Sequence, residues 1–198
     1  MVAKGDNVVP DGSTVGWESA LVQRARRGDA RAFERLYREH SAAVYGLCLR
    51  LLLNEANAED CTQEAFVRAW RALDRFEGRS AFGTWLHRIA VNVALKRRVH
   101  SSSREEPVED VSEYVDASDW TFDSPVEVAE IETAIGALPP GARDSLVLCA
   151  LYGYSHIEAA GMLGIAAGTC KAQLHRARKL LEQKLNRTAH DIARTQAS

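Results

Sequence analysis

Thr169, Ala172, Arg176 and Lys179 recur at steps of three and four, with Gln173 and His175 beside them and Lys171 close to the start of the same stretch. At about 100° per residue such a set shares one side of a helix. Hydroxyl, amide and guanidinium groups there could hydrogen-bond base edges in a DNA major groove, while cations nearby could meet phosphates. A second set, Trp85, Arg88, Asn92 and Lys96, also repeats at helical spacing. An aromatic edge beside two cations and an amide is the composition that stacks and holds unpaired bases, since every base has a π-face and every nucleotide a phosphate. Each set has a plainer reading. The first fits an αα-hairpin with a solvated basic face. The second fits a half-buried Trp85 flanked by solvent-facing residues, and residue chemistry alone puts that reading ahead.

The elements that must position these residues can be read from their neighbours. Between Tyr154 and Leu185, Ser155 followed three residues later by Glu158 is a capping-box signature that starts a helix. That helix should stop near Leu163 to Gly164, and a second should start around Ala167 to Thr169, which makes a helix-turn-helix. Cys170, Leu174, Ala177 and Leu181 form the buried face of the second helix. For the other set, the loop EGRSAFG precedes a helix running to about Val99, with Phe82, Leu86, Ile89 and Val93 on its core stripe.

The rest of the chain reads as helices too. Residues Met1 to Gly16 lack any period and read as a flexible tail. A short helix from Trp17 to about Arg27 is stopped by Gly28-Asp29, and a second helical region follows with a possible break near His40-Ser41. Asn57 with Asp60 suits the start of a third helix, whose Cys61, Ala65, Phe66, Ala69, Trp70 and Leu73 form an apolar face. Ser103 to Asp123 is a strongly acidic linker. Ser124-Pro125 with Glu127 then opens a second domain, in which Pro139-Pro140 separates two further helices. Thr188 to Ser198 reads as a C-terminal tail. No period-2 segment supports a strand, so the fold class is all-α: two small helical domains joined by an acidic linker.

Composition narrows the function. The 198 residues carry 25 Lys and Arg against 27 Asp and Glu, so net charge gives no argument for nucleic acid, but the charges are segregated. Lys171, Arg176, Arg178, Lys179, Lys184 and Arg187 face a single acid, Glu182, in one stretch. The six histidines have no metal-ligand spacing, and no phosphate loop or nucleophile motif occurs. The expectation is a non-enzyme with no cofactor, no metal and no small-molecule substrate. No apolar run approaches the ~20 residues that span a bilayer, which points to the cytoplasm. Cys48, Cys61, Cys149 and Cys170 lack CxxC pairing and read as buried reduced thiols, with no cation or resolving thiol placed beside any of them.

In order, RRGDARAFERLY, AEDCTQEAFVRAW, RFEGRSAFGTWLHRIAVNVALKRR, an acidic linker, LPPGARDSLVL and GYSHIEAAGMLGIAAGTCKAQLHRARKLL resemble the extracytoplasmic-function (ECF) sigma factors of the sigma-70 family, the promoter-recognition subunits of bacterial RNA polymerase. The resemblance covers nearly all of Leu21 to Leu185. It implies region 2 over Trp17 to Ser102 and region 4 over Ser124 to Arg187. It implies partners as well: core RNA polymerase, promoter DNA, and an anti-sigma factor, often membrane-anchored, released under stress. Glu59, Asp60, Gln63 and Glu64 become core polymerase contacts. Trp85, Arg88, Asn92 and Lys96, with Arg79 and Ser80 in the preceding loop, become the captors of an unpaired minus-10 element, which reverses the order of readings given above for Trp85. Arg97 and Arg98 are expected at phosphates. On the helix-turn-helix, Thr169, Gln173 and Arg176 become minus-35 base readers and Lys171, His175 and Lys179 phosphate contacts.

Where relatives commonly have GTVKSR, this chain has Gly168-Thr169-Cys170-Lys171-Ala172-Gln173. Ala172 and Gln173, at the leading end of the recognition face, therefore lack the hydrogen-bonding reach of the serine and arginine that relatives have there, and the minus-35 sequence should differ or be read less strictly. A free-standing helix-turn-helix regulator with an N-terminal sensing or dimerisation domain is the alternative.

Overall fold

The computed structural model describes residues 12–102 and 128–196, with side chains described over 17–99 and 131–185. Among the described residues all regular structure is helical, and the chain divides into two compact units, Met1–Arg104 and Glu105–Ser198. The acidic linker and the Ser124-Pro125 start signal lie outside the described residues.

The first unit holds α1 (Gly12–Arg26), α2 (Ala30–Leu52), α3 (Glu55–Ala72), a 3-10 turn (Leu73–Arg75) and α4 (Phe82–Ser102). α2, α3 and α4 pack on one another, and α1 lies on α2. Leu36, Val44, Leu47 and Leu51 from α2 are sealed against Ala58, Ala65 and Ala69 of α3 and Phe82, Leu86 and Val93 of α4. Small residues on α3 let the helices approach closely, while the large side chains come from its neighbours. Asp29 caps α2 as its position predicts, accepting from the backbone N–H groups of Arg31 and Ala32. The Arg24 guanidinium beside it, with the Ala32 N–H second, holds its carboxyl below the usual range.

Several boundaries differ from the sequence reading. α1 takes in Gly12 to Gly16, which that reading leaves in the tail; no proline after Pro10 forbids the extension. α2 runs unbroken through His40-Ser41, because His40 turns inward: its Nε2 lies 2.8 Å from Glu18 of α1, and its ring packs on Phe82. α3 is capped by Asn54 rather than Asn57; Leu53 adopts the left-handed conformation, and the Asn54 side chain accepts the Asn57 N–H at 2.8 Å.

The second unit holds α5 (Val128–Gly136), α6 (Pro140–Leu146) continued by a wider π turn (Val147–Leu151), α7 (His156–Leu163) and α8 (Ala167–Gln196). Pro139 ends the α5 connection, and Arg143 reaches back to the carbonyls of Gly136 and Leu138, at 3.3 Å each, near the end of α5. The Ser155–Glu158 capping box forms in full, and Gly164 takes a left-handed φ of 71° after α7. Those two local devices set the helix-turn-helix where the sequence places it. α8 continues to Gln196, through the stretch read as a tail, since no Gly or Pro follows Gly168. Among the described residues no helix is long and apolar enough to cross a membrane.

Candidate nucleic-acid interface

On α8 the predicted inner stripe of Cys170, Leu174, Ala177 and Leu181 is buried against the rest of the unit. Thr169, Lys171, Arg176 and Lys179 are exposed, and His175 is half-buried. Gln173 is half-buried. It lies against α6, so close to Gly141 that a β-carbon there would sit 3.4 Å from the Gln173 amide. The cause is helical geometry: position 173 borders Ala177 and Leu174 on the side facing α6, and the absent side chain at Gly141 leaves a seat for the amide. Thr169 and Arg176 are exposed, whereas Gln173 is half-buried beside α6.

On α4, Arg88, Asn92 and Lys96 are exposed on one stripe, as the spacing predicts. Trp85 is half-buried and belongs to a three-ring cluster, with centroids 5.0 Å from Phe76 and 5.7 Å from Phe82; Phe76 and Phe82 meet edge-on at 5.9 Å. Such offset contacts fix ring orientation as well as burying area. Phe76 precedes the loop and Phe82 follows it, so the cluster ties both loop ends. Within the loop Gly78 takes a left-handed φ of 70°, Arg79 pairs with Glu77, and Ser80 is exposed. Arg97, expected at a phosphate, instead donates to Asp60 of α3 at 2.9 Å and lies 3.5 Å from Glu64; its side chain is only 27% exposed. Arg98 is half-buried.

The α3 candidates separate in the same way. Asp60 and Glu64 join Arg97, and Glu64 also pairs with Arg68, so these two acids tie α3 to α4. Glu59 and Gln63 are exposed. Their stripe continues at helical spacing into Val67 and Trp70, which are 48% and 40% exposed. Trp70 packs on Phe33 of α2 at 4.7 Å, and Tyr37, 41% exposed, packs on Phe66 at 4.6 Å. An exposed aromatic patch rimmed by polar residues has the composition of a protein interface. The sequence puts Trp70 on the apolar face of α3, and its partial exposure has a local signal in Val67, an apolar residue outside the inner stripe.

Comparison with known proteins bears on both units. The Sigma-70 region 2 family matches residues 36–104, and the Sigma-70, region 4 family matches residues 129–181. The RNA polymerase sigma-H factor of Pseudomonas aeruginosa is 34% identical over 185 residues, covering 85% of this chain and 93% of that one. The chain belongs to the ECF sigma factors of the sigma-70 family. The ECF RNA polymerase sigma-E factor of Escherichia coli strain K12 is 33% identical over 184 residues, covering 85% and 94% of the two chains. Among solved structures, CnrH in complex with the cytosolic domain of CnrY aligns with a TM-score of 0.61 at 29% identity, covering 86% of this chain and 97% of that one. RpoE of Bartonella quintana, in complex with the anti-sigma factor NepR, aligns with a TM-score of 0.59 at 24% identity, covering 79% and 98%, and shares the fold.

As a sigma factor, the chain is a DNA-binding initiation subunit of RNA polymerase and not an enzyme, which decides against the free-standing regulator. Its four cysteines are free and three of them are buried, as expected, but they lie in pairs. In the region 2 unit Cys48 and Cys61 bring their sulfurs to 3.1 Å, and Cys61 also faces the Ala90 carbonyl at 3.7 Å. In the region 4 unit Cys149 and Cys170 lie 3.9 Å apart. The Arg178 charge also bears on Cys149, so a thiol and a cation both stand near it. Neither pairing follows from local spacing, because each joins residues on different helical segments. In region 2, burial, with the His40 charge second, pulls the His87 imidazole down to about 4, so it is neutral at pH 7.

Proposed function

We propose that this sigma factor holds the minus-10 element as an unpaired strand on α4 and its preceding loop, and reads the minus-35 element as duplex through α8. The observation that carries this reading is the oriented ring cluster of Phe76, Phe82 and Trp85 beside the exposed Arg88, Asn92 and Lys96. Opening a base pair costs a few kcal/mol, and stacking on an aromatic edge offsets about 1–3 kcal/mol of it per base. Arg79 and Ser80 line the approach from the loop. On α8, Thr169 and Arg176 contact base edges, while Lys171, His175 and Lys179 contact phosphates. Glu59, Gln63, Val67 and Trp70, with Tyr37 beside them, form the surface for core polymerase; Asp60 and Glu64 add charge at its margin.

Residues 17–102 serve as region 2 and 124–187 as region 4, with 103–123 as the acidic connection. The two aligned complexes above, one with CnrY and one with the anti-sigma factor NepR, support a partner that covers these surfaces until a stress signal releases them. Its site of action is the cytoplasm, where polymerase works.

The test is run-off transcription with purified core enzyme on a promoter obtained by mapping transcript starts after overproduction. A promoter-specific transcript that requires both the chain and core enzyme is expected. Tight duplex binding by the chain alone, with no transcript when core is added, would overturn the proposal.

A further inference from the structure

Region 4 holds two thiols at the base of its recognition helix. Cys170 lies in the first turn of α8, between Thr169 and Lys171, with its sulfur buried. Cys149 lies on the π turn that continues α6, is partly exposed, and faces Cys170 across 3.9 Å. A disulfide needs sulfurs ~2.05 Å apart, so small movements of the two segments would close it. The wider π turn is the irregular partner of the two, and such turns concentrate at functional positions.

We propose that Cys149 and Cys170 are an oxidant-sensitive dithiol, and that their closure by hydroperoxide shifts the first turn of α8 and weakens minus-35 reading. The Cys149 thiolate attacks the O–O bond of the peroxide; its sulfur becomes a sulfenic acid and the departing oxygen takes a proton to leave as water. The Cys170 thiolate then attacks that sulfur, forming the S–S bond and expelling the second oxygen as water. Two thiols and one hydrogen peroxide thus give one disulfide and two waters. Burial, with the Cys170 sulfur second, pushes the Cys149 thiol up to about 12 against the smaller opposing pull of the Arg178 charge, so the resting state is the dithiol and little of it is thiolate at any moment. Cys48 and Cys61 lie closer together, but both are fully buried in the region 2 core, beneath the Ala90 carbonyl of α4. They have the sulfur contact without the access.

The functional half of this inference rests on the minus-35 role proposed for α8; the cross-link does not. The full chain is treated with hydrogen peroxide, the excess is removed with catalase, free thiols are alkylated, and peptides are mapped by mass. The expected product links the Cys149 and Cys170 peptides, while Cys48 and Cys61 remain alkylatable after denaturation. Treated protein, added to core enzyme, should give about tenfold less transcript, roughly one lost base-edge contact, and dithiothreitol should restore it. Cys149→Ser, and independently Cys170→Ala, should transcribe normally and resist peroxide. Absence of the 149–170 link, prior closure of the 48–61 pair, or full transcription by the cross-linked chain would overturn the proposal. An untreated chain that fails to transcribe with core counts against the sigma-site assignments, and the mass map still reports on the dithiol.

Discussion

α4 and α8 both carry a polar, basic stripe at helical spacing, yet they differ in what stands at the head of it. The α4 stripe is headed by Trp85, held by two phenylalanines; the α8 stripe is headed by Thr169 and, among its exposed described residues, presents no aromatic ring. A π-face is useful only where a base has left the stack, whereas hydroxyl and guanidinium groups can address base edges of an intact duplex. On the function proposed above, the same charge pattern serves two states of DNA, and the residue at the head of the stripe decides which. Charge alone would not distinguish them.

The largest expected effect sets the two regions apart by acid. His87 has its folded pKa depressed to about 4 against an ordinary value of 6.5, so below 6.5 the unfolded chain binds more protons than the folded one. Stability from this group is present above pH 6.5 and is lost as pH falls toward about 4, by at most ~3 kcal/mol. Denaturant unfolding of the full chain, followed by the fluorescence of Trp17, Trp70 and Trp85 in region 2, should show this loss. His87→Gln should flatten it; an unchanged slope would remove His87 as its origin.

Next comes a crossed pair of substitutions. Trp85→Ala should slow open-complex formation by about 1–3 kcal/mol of lost stacking and leave closed-complex affinity intact. Arg176→Ala should do the reverse, weakening closed binding by about 1–3 kcal/mol. Permanganate reactivity of the melted strand and filter binding read the two steps separately. Equal losses in both steps from either variant would erase the contrast between the helices.

The smallest effect lies in salt dependence. Lys179→Ala should reduce the slope of log affinity against log salt by ~0.9, as expected for duplex, and Lys96→Ala by ~0.7, as expected for a single strand. Arg97→Ala should leave it unchanged, because Arg97 already serves Asp60 and Glu64. Gln173→Ala should likewise leave minus-35 base preference as it was. A slope change at Arg97 matching that at Lys96 would return it to the DNA-facing stripe.

What the sequence made legible was mostly local. The Ser155–Glu158 capping box, the Gly164 stop, the Asp29 cap and the inner stripe of α8 involve groups within a few residues of each other, and each lies where its spacing puts it. The contacts at the site that local spacing does not show are long-range. Whether Gln173 faces DNA or α6 depends on a glycine 32 positions upstream. Arg97 is paired with acids of another helix, and Trp70, on the apolar face of α3, meets Phe33 of α2 while staying 40% exposed. The sulfur pairs exist only once distant segments are packed. An i-to-i+3 relation is written in the chain, but competition among neighbours for one side chain is not.

The ring cluster around Trp85 has a further consequence, which concerns disorder. Phe76 and Phe82 bracket residues 77–81, so that stretch is a short loop with both ends fastened to one rigid block. Fixing a free backbone costs about 1–2 kcal/mol of conformational entropy per residue. Here much of that loss is incurred when region 2 folds. On the function proposed above, a strand opened at the promoter then meets a surface that has little freedom left to surrender, and more of its contact energy remains to hold the strands apart.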